Sequence, residues 1–289
     1  PMTKIIDGKK IGDDILYTIK KEVALLSFKP VFCDILVGED KVSLQYVQMK
    51  KKTALSLGID FHNANFPSSI TTEELVEEIK ILNKFPNMCG IIAQLPLPPH
   101  IDRRIILDTI DSDLDVDCLG STSSEKFYSG DITIGFPTAL SCIKLLDSIE
   151  IPLDDKKIVV LGRGDLVGKP TAALLNFRNL HVETVSSKTE NKEEIIKNAD
   201  IIISGIGQSK YIKGYMLKKG VILIDAGNSE INNNIMGDVD IDSVLHVASY
   251  LSPVPGGVGP VTVAILFSNV LNVAKSLDKA RDDSALSNI

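Results

Sequence analysis

The stretch VVLGRGDLVGKPTAALL, residues 159–175, decides the fold. An apolar run, Ile158 to Leu161, enters a turn with glycines at 162, 164 and 168, and an apolar helical pattern leaves it. A buried strand, a glycine turn and a helix in that order open a dinucleotide-binding βαβ unit. The spacing GxGxxxG is one residue longer than the usual fingerprint, so the flanking strand and helix carry the reading. Gly162 allows the tight turn, Gly164 lets a pyrophosphate approach the backbone, and the helix opening at Gly168 turns its N-terminus to that charge. The plainer alternative is a turn whose glycines serve packing alone. A GxxxxGK[ST] phosphate loop is excluded, because Pro170 follows Lys169 and Arg163 stands where its first glycine belongs.

The residues after the next strand bear on the cofactor. An NAD site places a carboxylate there, about 20 residues on, to accept from the ribose hydroxyls. Here HVETV runs into Ser186, Ser187, Lys188 and Thr189, and Glu183 lies inside the strand. Arg163 and Lys188 supply positive charge for a 2′-phosphate, so NADP is expected in preference to NAD.

The pattern continues outward. NKEEIIKNA reads as a helix, and DIIISGIG and GVILIDAG as further strands. In the first half, FKPVFCDILVG is a strand ending at Gly38, Ser43 to Leu57 a helix stopped by Gly58, and DFHNANF a strand. TEELVEEIKILNK and GIIAQLP add a helix and a third strand, so this half is also a βαβαβ parallel sheet. The expected fold is two α/β domains, one of Rossmann type. The first covers residues 1–120, the second 121–261, and a final helix from about 262 to 289 returns to the first. STSSEKFYSGD reads as an irregular hinge, and DKARDDSALSNI as a frayed tail.

Composition sets limits. A chain of 289 residues suits two domains, and 44% hydrophobic residues with no tryptophan imply an aliphatic core. A net charge of -7 argues against a nucleic-acid groove. No window approaches about 18 uninterrupted apolar residues, so no membrane span is expected. Cys33, Cys89, Cys118 and Cys142 form no CxxC, the four histidines show no metal spacing, and PMTKIIDGKK lacks a secretory apolar run. Free thiols, no metal and a cytoplasmic location are the expectation.

SLQYVQMKKK, residues 43–52, puts Tyr46 and Lys50 one turn apart on one helical face. The pair is an acid/base device or a solvated surface; Lys51 and Lys52 point elsewhere and read as surface. Taken with GIIAQLPLP, DVD, GRGDLVGKP, GDVD and SPVPGGVGPVT in that order, the chain from about Ile5 to Leu277 resembles bifunctional methylenetetrahydrofolate dehydrogenase/methenyltetrahydrofolate cyclohydrolase. QLPLP and PVPGGVGP are highly specific to that family.

The resemblance implies a folate-binding catalytic domain followed by a Rossmann domain, a cleft between them, and a homodimer. It implies oxidation of methylenetetrahydrofolate with NADP and hydrolysis of the methenyl product, with Lys50 as proton relay held by Tyr46 and Gln94. Asp117 would grip the pterin. Folate would lie along Tyr46, Val47, Gln48, Met49 and Lys50, along Ala93, Gln94 and Leu95, and along Pro255, Gly256, Gly257, Val258 and Gly259. The cofactor would lie on Gly162, Arg163, Gly164, Gly168, Ser187, Lys188 and Asn228.

Four strings depart from the family. GRS reads GRG, HSRT or HSKT reads SSKT, DVDG reads DVDC and DVGIN reads DAGNS. Other readings are a monofunctional member of the family, a shikimate-dehydrogenase-like enzyme and a non-catalytic nucleotide-binding module. A short-chain dehydrogenase is ruled out by order, since its Tyr-x-x-x-Lys follows the glycine loop and this one precedes it.

Overall fold

Along the chain run β1 (Lys4–Ile5), α1 (Gly8–Val23), β2 (Val31–Val37), α2 (Lys41–Ser56), β3 (Asp60–Phe66), α3 (Thr72–Asn83), β4 (Met88–Ala93), α4 (Arg103–Thr109), α5 (Ser121–Tyr128) and α6 (Pro137–Asp147). There follow β5 (Ile158–Leu161), α7 (Gly168–Phe177), β6 (Val182–Val185), α8 (Lys192–Asn198), β7 (Ile201–Ser204), β8 (Ile222–Asp225), β9 (Ser229–Ile231), β10 (Asn234–Met236), α9 (Ile241–Val244), β11 (Tyr250–Ser252) and α10 (Val258–Ser287). The structure is a computed structural model and describes residues 1–289.

The chain forms two compact units. Asp14–Gly135 with Leu266–Ile289 make the unit that carries Lys50, and Pro1–Asp13 with Phe136–Ile265 make the unit that carries the glycine turn. The division expected at 120/121 therefore falls at 135/136. The first thirteen residues join the glycine-turn unit because β1 adds a parallel strand beside β11.

In the Lys50 unit three parallel strands lie in the order β3-β2-β4. Every residue of β2 is buried, as expected of the central strand of a covered parallel sheet. Helix α2 begins where Asp40 accepts a hydrogen bond from Ser43 N at 2.9 Å, and Gly58 takes over beyond its end at φ +83°. Its buried residues Ser43, Val47 and Ala54 form one stripe, and Lys50 falls within that stripe at i+3 from Val47 and i−4 from Ala54. Two expectations are corrected here. STSSEKFY is a helix, α5, that buries Phe127, and the polar tail stays helical to Ser287.

Helix α10 is long and apolar enough to cross a membrane, but more than half of its apolar stretch is buried inside the protein. The ring of Phe267 packs edge-on against Phe32 at 5.1 Å, and Asn269 Nδ2 donates to Val116 O and Gly135 O at 2.9 Å each. These are the contacts of a core helix.

In the glycine-turn unit six parallel strands lie in the order β1-β11-β8-β7-β5-β6. From β5 the chain steps outward to β6 and then back across to β7. The carboxyl ends of β5 and β7 thus form the point at which strand order reverses, where open α/β sheets bind ligands. Val159, Leu161, Ile202, Leu223 and Leu251 belong to an aliphatic core on one face. The four cysteines are free and buried.

Candidate active site

Lys50 leaves the buried stripe of α2 and reaches the sheet. Its Nζ donates to Gln94 Oε1 at 2.7 Å and stands 2.8 Å from Asp34 Oδ2. Gln94 is the first residue past β4, and its own N–H is fixed to Ile35 O at 2.8 Å, so the amide is aimed by the sheet. Asp34 lies in the middle of β2 with a fully buried side chain. No donor meets either of its oxygens in good hydrogen-bond geometry, so the Lys50 ammonium is the charge beside it. Burial pushes the Asp34 carboxyl up, and Lys50 pulls it back down.

Asp117 follows a segment that bridges Ile91 of β4 at Asp115. The residue keeps part of its surface open, but its carboxyl is ringed by protein. That dehydration pushes its pKa up to about 7; Lys50 lowers it, and Asp115 and Asp34 raise it further. Asp115 is buried and anchors the next turn by accepting from Gly120 N at 2.8 Å. Cys118 is buried at φ +64°, a left-handed conformation that suits the glycine of the related DVDG string.

The other folate positions divide by geometry. Tyr46 is half-buried one turn before Lys50 on the same face, and Gln48 and Met49 are exposed. Val47 and Ala93 are buried, at 2% and 4% exposure, because one sits on the inward stripe of α2 and the other inside β4. Leu95 is half-buried and precedes a cis Pro96. Asp34 was not among the expected residues. The available signal was a lone acid inside an apolar strand, which needs a partner when buried.

The glycine-turn unit gathers the remaining residues at the carboxyl ends of its strands. Gly162 has φ +106° and donates to Val185 O at 2.7 Å, which ties the turn to the end of β6. A Cβ at Gly168 would meet Gly162 O at 2.1 Å, so this glycine serves packing of the turn on α7. A Cβ at Gly164 would meet nothing within 4 Å, so packing does not require a glycine there and the exposed backbone can admit a phosphate.

Arg163, Ser187 and Lys188 are exposed on the adjacent tips of β5 and β6, and Thr189 Oγ1 closes the second tip by accepting from Ser186 N at 2.9 Å. Asn228 is exposed beyond β8. Asp238 accepts from Ser204 Oγ at 2.7 Å and from Ile206 N and Gln208 N at 3.0 Å, which braces the loop after β7.

Pro255 to Gly259 extend from β11 into α10 along the same sheet edge. Pro255 is exposed after a cis bond, Gly256 has φ +94°, and Gly257 and Val258 are buried. Gly259 is exposed, with open space around a would-be Cβ. A Cβ on Gly8 would come within 1.8 Å of Gly257 O, so the start of α1 holds this turn backbone to backbone. No group of three or more His, Cys, Asp or Glu side chains is arranged to hold a metal.

The Lys50 unit can hold a planar ligand by a carboxylate and move a proton at a lysine, and the glycine-turn unit can cradle a dinucleotide on its turn. Comparisons with known proteins agree with this division. The family pattern described as "Tetrahydrofolate dehydrogenase/cyclohydrolase, catalytic domain" matches residues 6–117, and that of its NAD(P)-binding domain matches 137–278. The bifunctional protein FolD of Clostridium perfringens is 39% identical over 280 residues, covering 96% of this chain and 100% of the relative. The bifunctional FolD structure from Campylobacter jejuni aligns with a TM-score of 0.91 at 34% identity, covering 95% of this chain and 99% of that one. The Trypanosoma brucei methylenetetrahydrofolate dehydrogenase-cyclohydrolase, solved with NADP cofactor and an inhibitor, also aligns at 0.91 and 34%, covering 96% and 99%. On fold, site chemistry and near full-length similarity, the chain belongs to the tetrahydrofolate dehydrogenase/cyclohydrolase family.

Proposed function

We propose that this protein oxidises 5,10-methylenetetrahydrofolate with NADP and hydrolyses the resulting 5,10-methenyltetrahydrofolate to 10-formyltetrahydrofolate. The observation that carries the reading is Lys50, held between Gln94 Oε1 and Asp34 Oδ2 at the carboxyl end of a parallel sheet. The NADP preference draws on Arg163 and Lys188 at the exposed strand tips and on the exposed, acid-free end of β6. NADP, when bound, accepts the hydride that the methylene carbon loses.

The chain's own residues do the rest. Asp117 accepts from the pterin amino and ring N–H groups and sets the orientation of the folate, which is what hydride transfer requires of the protein. Hydrolysis asks for more, because water adds to the methenyl carbon and must lose a proton while the leaving ring nitrogen must gain one. Lys50 takes the first proton as an amine and returns it to that nitrogen, and the second leaves when the formyl C=O forms. Gln94 fixes the direction of the lysine nitrogen, and Tyr46 adds a hydroxyl on the same helical face. Val47 and Ala93 set the backbone around these groups from the core. The family resemblance and the net charge of -7 support a cytoplasmic homodimer with no nucleic-acid or membrane partner.

The test is Lys50→Met, which keeps the stem and deletes the nitrogen. Hydrolysis should fall about 10²- to 10⁴-fold and hydride transfer distinctly less, with circular dichroism confirming the fold. Hydrolysis that survives while hydride transfer collapses would make Lys50 a binding residue and overturn the mechanism.

A further inference from the structure

A fully buried carboxylate on the central strand is costly, and Asp34 has only Lys50 to offset that cost. The methenyl substrate is a cation at the carbon that reacts, so it arrives where the lysine already places a positive charge. A lone ammonium there would repel it.

We propose that Asp34 is a positioning residue whose carboxylate cancels the charge of Lys50, so that a cationic one-carbon folate can form and be held beside that lysine. The inference rests on the placement of the reacting carbon at Lys50 given above. The two ends of the pair stand 2.8 Å apart, and one proton decides whether both are charged or neither. With the proton on Lys50 the pair is an ion pair, and with the proton on Asp34 it is an acid and an amine. Either way its net charge is zero.

The groups that face this pair from the surrounding elements do not replace Asp34. Gln94 at the end of β4 is neutral. The Cys33 thiol on β2 is pushed up to about 12 by burial and by Asp34, and stays protonated. Asp117 and Asp115 lie on the segment beyond β4; Asp115 is taken up by Gly120 N, and Asp117 faces the pterin in either reaction. Asp117 feels the charges of both Lys50 and Asp34, and removing Asp34 favours its ionised form, which attracts a cation and so opposes the expected fall rather than producing it.

The experiment compares two folates that differ in charge at the one-carbon centre. Inhibition constants of methenyltetrahydrofolate and 10-formyltetrahydrofolate are measured against the initial rate of the dehydrogenase reaction. In Asp34→Asn the preference for the cationic folate should fall about ten- to a hundredfold relative to the unaltered protein, and more as pH is lowered. Asp34→Val, a residue at home in a buried strand, should do the same and guards against a folding defect of the amide. The double variant Asp34→Asn/Lys50→Met removes both charges and should restore the ratio.

A ratio unchanged in both single variants overturns the inference, as does a ratio that the double variant fails to restore. Because Lys50→Met alone is judged on hydrolysis rate, a failure of the lysine mechanism is seen separately from a failure here.

Discussion

At the scale of single residues, the site is built from groups that folding makes costly. Asp117 shows it most clearly. A carboxyl whose pKa is raised binds its proton more tightly folded than unfolded, so ionising it opposes folding. Below its ordinary 3.8 Asp117 costs nothing; the cost grows between there and about 7 and is full above that. Asp117→Asn should therefore gain stability over the unaltered protein as pH rises through that window, while folate affinity drops by about 1.5–3 kcal/mol because the pterin donors lose a charged acceptor. Urea unfolding of the two proteins across the window checks the sign; parallel pH dependences would show that Asp117 is not dehydrated. Tyr46, Lys50, Gln94 and Asp117 were singled out because each sits in a specific string, and folding brings Lys50 against Gln94. Asp34 was hidden by VFCDILV, where the apolar run signals a strand and says nothing of the partner its one acid needs. Cys118 was read as a departure from glycine, but its left-handed backbone at φ +64° is a three-dimensional fact.

At the scale of elements, local patterns carried far. The strand, turn and helix around Gly162 follow from residues close in sequence, and so do α2 and the parallel β2, β3 and β4. Short or polar elements did not declare themselves. Helix α5 buries Phe127 alone, and the β9–β10 hairpin is largely exposed, so neither has a strong apolar period to read. The juxtaposed tips of β5 and β6 give a prediction at this scale. Gly162 N on Val185 O joins the tips through backbone, so the turn does not need the Arg163 side chain, which is exposed. Arg163→Ala should then spare the turn and remove only charge facing a 2′-phosphate. The NADP requirement should rise about ten- to a hundredfold, with NAD use nearly unchanged. Steady-state rates with each cofactor decide it, and an equal loss for both would mean that Arg163 supports the turn.

At the scale of the whole molecule, each unit is completed by a segment from the far end of the chain. Residues 1–13 belong with 136–265, and 266–289 with 14–135. Sequence patterns report neighbours along the chain, so the expected boundary near 120 missed the exchange at the N-terminus. The exchange has a consequence that truncation can expose. In the glycine-turn unit, Lys4 N and Ile6 N donate to Ser249 O and Leu251 O at 2.9 Å, and the buried Thr3 hydroxyl donates to Ala248 O at 2.7 Å. In the Lys50 unit, Asp278 accepts from Ser27, and Arg281 donates to Asn87 Oδ1 at 2.9 Å and lies 4.2 Å from the Phe28 ring. Deleting residues 1–5 should cost the glycine-turn unit about 2–4 kcal/mol, from a few hydrogen bonds and the apolar edge they cover. Ending the chain after Leu277 should cost the Lys50 unit less, about 1–2 kcal/mol, since its lost contacts are exposed. Binary binding measured by calorimetry near the unfolding temperature separates them: the first truncation should weaken NADP more than folate, and the second should do the reverse. If either truncation lowered both affinities equally, the terminal segments would not belong to the units that the contacts assign them.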